Sequence, residues 1–108
     1  MTSEALLTQL GYSVSESSLA QIDRVIQNTE GFEHIGKHLV TLHDHLQSHL
    51  SFVALSSNKD YFKIKNMAAE PELQEEVNEI IYKWAEKFKV QLEKVSNKET
   101  FYILGFKK

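Results

Sequence analysis

The run from Thr100 to Phe106, TFYILGF, is apolar on both sides of any strand it forms, through Phe101, Tyr102, Ile103, Leu104 and Phe106. Strand side chains alternate between two faces, so a strand of this composition needs cover on each, and the rest of the chain has to supply it. The segment before it supplies one cover: Leu73, Val77, Ile80, Ile81, Trp84, Phe88 and Leu92 recur at helical spacing over about five turns. Pro71 fits the first helical position, and Glu72, Glu75 and Glu76 suit the positive end of the helix dipole. Asn97 and Lys98 are expected to end this helix.

Upstream, the period changes at Ser51 from helical to alternating. Phe52–Val53–Ala54–Leu55 and Tyr61–Phe62–Lys63–Ile64–Lys65 flank the turn residues Ser56–Ser57–Asn58–Lys59–Asp60, which predicts a β-hairpin. Three helices are expected before it. Ser3 can cap the first, which carries Ala5, Leu6, Leu7 and Leu10 and stops at Gly11. Ser18 and Gln21 are spaced as a capping box for the second, which ends near Asn28. Thr29 is a candidate cap for the third, Phe32 to Leu50, in which Gly36 costs roughly 1 kcal/mol relative to alanine unless a neighbour needs the space. The expected architecture is a single α+β domain over residues 1–108, in the order α-α-α-β-β-α-β. Its terminal strand would lie beside the first, giving a three-stranded antiparallel sheet of order 2-1-3.

The chain is long enough to bury a real core, with 42% apolar and 25% charged residues. It has no cysteine, which excludes disulfides, thiolate metal sites and cysteine nucleophiles. No apolar run approaches the roughly 18 residues that span a bilayer, and the polar start MTSEALLTQLGY is unlike a secretory leader, so a soluble, cytoplasmic protein without membrane partners is expected. The net charge is −3, and neither half is strongly basic, which removes the usual electrostatic footprint of a nucleic-acid binder. The four glycines are isolated, so there is no phosphate-binding loop, dinucleotide fingerprint or nucleophile elbow, and no residue set nominates itself for catalysis.

All five histidines lie between Phe32 and Leu50. On a helix, His34, His38, His45 and His49 fall within roughly 60° of each other, beside an apolar face of Ile35, Leu39, Leu42, Leu46 and Leu50, while His43 points elsewhere. Pairs four residues apart, His34/His38 and His45/His49, could place two imidazoles on one transition metal such as zinc, or on a haem. The metalloprotease pattern is absent, since Ile35, Gly36 and Lys37 stand between the first pair. The plainer reading is a hydrogen-bonded or solvated histidine edge, and a third is a pH switch in which the imidazoles charge together toward pH 5.

The stretch Ala5 to Ser13 resembles the first helix and turn of a helix-turn-helix motif, but the resemblance fails at the next step, where the apolar positions expected six and nine residues after the glycine are Ser17 and Ala20. A winged-helix arrangement would use Leu55 to Lys65 as the wing, with Lys59, Lys63 and Lys65 on the DNA backbone. The leading expectation is a non-enzymatic domain without cofactor that works through protein contacts. Its Tyr102, Leu104 and Phe106 would form a homodimer interface or meet another protein partner.

Overall fold

The computed structural model of the chain describes residues 1–107. Four helices, α1 Ser3–Gln9, α2 Glu16–Asn28, α3 Phe32–Gln47 and α4 Pro71–Phe88, accompany four strands, β1 Phe52–Leu55, β2 Phe62–Lys65, β3 Val90–Lys94 and β4 Thr100–Phe106. All strand pairs are antiparallel and the order across the sheet is β1-β2-β4-β3. The expected three-stranded sheet of order 2-1-3 is therefore wrong in strand count and in the placement of the terminal strand.

The strand count fails at one residue. The helical pattern through Leu92 breaks after Phe88 because Lys89 takes a left-handed conformation, φ 56° and ψ 46°, with its N–H donating to the carbonyls of Ala85 and Glu86. Phe88 and Leu92 are four apart, which suits a helix, but Val90 between them makes the same residues suit a strand of period two. The chain takes the second course, and β3 turns back through Asn97, at φ 61°, into β4. The placement fails because the outer edge of β1 is already occupied. The Val53 N–H donates to His43 Nδ1 at 3.0 Å and the Leu55 N–H donates to the Tyr12 hydroxyl at 2.9 Å.

Local caps differ in detail from those expected. The Thr2 side chain accepts from Ala5 N at the start of α1, and Ser15 with Ser18 forms the capping box of α2. The Thr29 hydroxyl donates back to Val25 O, and Gly31 occupies the cap position of α3.

Directly opposed residues in a sheet share a face. Leu55, Phe62, Ile103 and Leu92 form one row, and Val53, Ile64 and Phe101 the next, all turned toward the helices. Buried residues of all four helices, among them Leu6, Leu7, Ile22, Val25, Ile35, Leu39, Leu46, Val77 and Ile81, join these rows in one core. The alternate residues of the central strands, Lys63, Lys65, Tyr102 and Leu104, are half-buried and stand outside that core.

Beyond the end of β2, β4 continues against the α2–α3 connection. Glu30 and Gly105 form a parallel bridge, and Phe106 N donates to Glu30 O at 2.6 Å. Gly105 has φ 148°, and a Cβ there would sit 2.7 Å from Glu30 O and 2.9 Å from Glu30 N. Backbone on backbone cannot yield as a flexible side chain can. Gly105→Ala is therefore expected to lower stability by about 2 kcal/mol or more, read as a lower urea midpoint at unchanged m-value.

Candidate functional site

The histidine helix forms as expected over most of its length and buries Ile35, Leu39, Leu42 and Leu46. Its stripe, however, is divided along the helix. His34 lies 4.5 Å from the Phe106 ring, centroid to centroid, and 3.7 Å from the Glu33 carboxylate. His38 stacks on Phe88 at 3.7 Å and 15°, and its carbonyl accepts the Trp84 indole N–H at 3.0 Å. His45 and His49 lie 5.7 Å apart at the far end of the helix.

No group of three His, Cys, Asp or Glu side chains among the described residues could hold a metal ion. A stable site asks for three or four ligands. His34 and His38 pack α3 against β4 and α4. Burial holds the His38 ring below its ordinary value, and Lys37 and Lys87 add to the effect, which suits an imidazole stacked flat on a phenylalanine.

The residue that sequence periodicity set aside is the most constrained histidine. His43 is 3% exposed, with Nδ1 accepting from Val53 N–H and Nε2 at 2.9 Å from the Gln47 amide. Because Nδ1 accepts, the neutral ring carries its proton on Nε2, which faces Gln47 Nε2; turning that amide over brings its oxygen to the proton. Burial pushes His43 below its ordinary value, against the pull of neighbouring Asp44. Charging the ring would also take the lone pair that Val53 uses. Tyr12 does the equivalent work two residues along, so the two outward N–H groups of β1 are both met by side chains.

The second feature is the sheet face away from the helices. The row Ala54, Lys63, Tyr102, Glu93 crosses all four strands, and Phe52 opposes Lys65 on the same side. The Tyr61 ring lies 5.3 Å from that of Tyr102, and Lys59 Nζ is 5.6 Å from the Tyr102 centroid. Of the three residues expected at an interface, Tyr102 and Leu104 stand on this face. Phe106 does not: it packs on the core beside Gly31 and His34.

The proposed wing is not a free hairpin either, since β2 is paired on both sides, and Arg24 of α2 lies 3.7 Å from the Asp60 carboxylate. No helix is long and apolar enough to cross a membrane among the described residues. No family model, no curated protein and no solved structure matches the chain.

The His43 environment has a measurable consequence. Unfolding frees the ring to bind a proton at its ordinary value of 6.5, whereas the folded protein keeps it neutral to a lower pH. Between those two values the unfolded chain binds more protons, so this contribution is complete above 6.5 and is lost as pH falls toward the folded value; His38 acts in the same direction. His43→Leu is expected to cost about 1–3 kcal/mol at neutral pH by stranding the Val53 N–H, and to flatten the fall in stability below 6.5, as urea unfolding at a series of pH values would show.

Proposed function

We propose that the protein acts by binding rather than by catalysis, in a cytoplasmic setting, and that its uncovered sheet face joins a second copy of the chain. The supporting observation is the row Lys63–Tyr102–Glu93 on three adjacent strands. Neighbouring strands lie about 4.8 Å apart, so the lysine and the glutamate flank the tyrosine at equal distances on opposite sides. A two-fold axis running along β4 above Tyr102 exchanges left and right. It sets Tyr102 against Tyr102, and Lys63 of each copy against Glu93 of the other. An interface formed this way is self-complementary, as a two-fold contact requires.

The apolar content suits the same role. Phe52, Tyr61, Tyr102 and Leu104 all lie outside the hydrophobic core, and aromatic residues with a polar tip are well suited to a half-wet interface. The helices leave this face open, so a second copy would meet the need for cover that the terminal strand creates. Lys59, Lys63 and Lys65 beside two tyrosines are also the elements of a single-strand nucleic-acid platform, and the test separates the two partners.

Sedimentation of the wild-type chain is expected to show a dimer. Lys63→Glu or Glu93→Lys alone sets like charges against each other and should weaken it about tenfold or more, while the double exchange restores it. A monomeric wild type, or single variants that leave association unchanged, would exclude this interface. A monomer that instead binds single-stranded oligonucleotides with steep salt dependence would transfer the face to the other partner.

A further inference from the structure

Three large apolar side chains are left in water where the end of α3 meets the start of α4: Leu50 is 71% exposed, Met67 51% and Leu73 46%. Leu50 and Leu73 line a cleft of about 170 Å³ together with His49, Ala68, Ala69 and Val77, which is room for one apolar side chain. Neighbouring backbone polar groups are tied down around it. Ser51, 1% exposed, accepts the Met67 N–H on its hydroxyl at 3.0 Å, donates that hydroxyl to His49 O and gives its N–H to Leu46 O at 2.9 Å. Asn66 likewise accepts from Ala68 N–H and donates to Gln74 O and Asn78 Oδ1.

Leu50 itself has φ 61°. A left-handed leucine costs roughly 1–2 kcal/mol, and its exposed side chain recovers little of that by burial. The conformation instead holds the side chain at the rim of the cleft. The surrounding charge is acidic: Glu70 adjoins Ala69, while Glu72 and Glu76 flank Leu73 and Val77 on α4, and none of the three forms an ion pair among the described residues.

We infer that this cleft is a docking site for a helical segment of another protein that presents an apolar anchor between lysines or arginines. The anchor would enter between Leu50 and Leu73 onto Ala68 and Val77, and the flanking cations would meet Glu70, Glu72 and Glu76. An apolar pocket with exposed carboxylates beside it at the start of α4 selects for that combination and against anionic surfaces. The site shares no residue with the sheet face, so it stands whether or not the chain dimerises there.

The test uses a short amphipathic peptide of leucine and lysine, with its glutamate counterpart as control, titrated into the isotope-labelled full chain. The lysine peptide is expected to shift the amide resonances of Leu50, Met67 and Leu73 saturably, and the glutamate peptide to leave them in place. Leu50→Gly removes the side chain and the backbone strain together, so melting temperature should hold or rise while affinity falls about tenfold or more. A double Glu72→Lys and Glu76→Lys exchange should reduce binding similarly. The inference is overturned if the lysine peptide leaves those amides unmoved, if both peptides bind alike, or if Leu50→Gly binds as wild type does. It is equally overturned if the cleft proves to hold a second copy, seen as self-association lost in Leu50→Gly, or if anionic vesicles alone move those resonances.

Discussion

Two backbone donors on the outer edge of β1, Val53 and Leu55, organise much of the molecule. A strand edge left open is a template for another strand, and here side chains from two different helical regions close it. His43 reaches it from the middle of α3 and Tyr12 from the α1–α2 connection, so the same bonds that terminate the sheet also dock the helices onto it. With that side closed, the remaining strands add on the β2 side. There β4 takes the place beside β2 and β3 the far edge. Gln21 and Asn28 of α2 extend the attachment, donating to Ser56 O and Asp60 O in the β1–β2 turn.

Much of the local structure was legible in the sequence, because local structure is set by periodicity. The apolar faces of α2 and α3, the hairpin around Asn58 and the start of α4 at Pro71 follow from spacing and turn chemistry within a few residues of one another. What was not legible depends on contacts distant in the chain. Phe88, Val90 and Leu92 satisfy helix and strand periods at once, and only pairing with β4 decides between them. No glycine marks the helix end, because Lys89 takes the left-handed cap.

The site shows the same division. The histidine stripe could be drawn from 100° steps, yet the partners of each ring, Phe106 for His34 and Phe88 for His38, come from elements far along the chain. His43 was set aside because it left the stripe. The available signal was that His43 follows Leu39 by four residues and precedes Leu46 by three, which places it on the buried face of α3. Phe106 leaves the outer sheet face because β4 outruns β2 and meets Glu30, which turns its last aromatic into the core's margin.

The position of β4 bears on how the chain acquires its shape during synthesis. This strand is the last of the described elements in chain order, yet it is hydrogen-bonded on both flanks, to β2 and β3, and it reaches back to Glu30. Until it leaves the ribosome, β1 and β2 can form only a two-stranded hairpin, which is marginal on its own, and Phe62 and Ile64 lack their partners Ile103 and Phe101. Closure of the four-stranded sheet therefore waits for β4. Such a protein gains its cooperativity from long sequence separations and folds correspondingly slowly for its size. A chain lacking β4 leaves β3 without a strand partner and the helices with no more than the β1–β2 hairpin to cover.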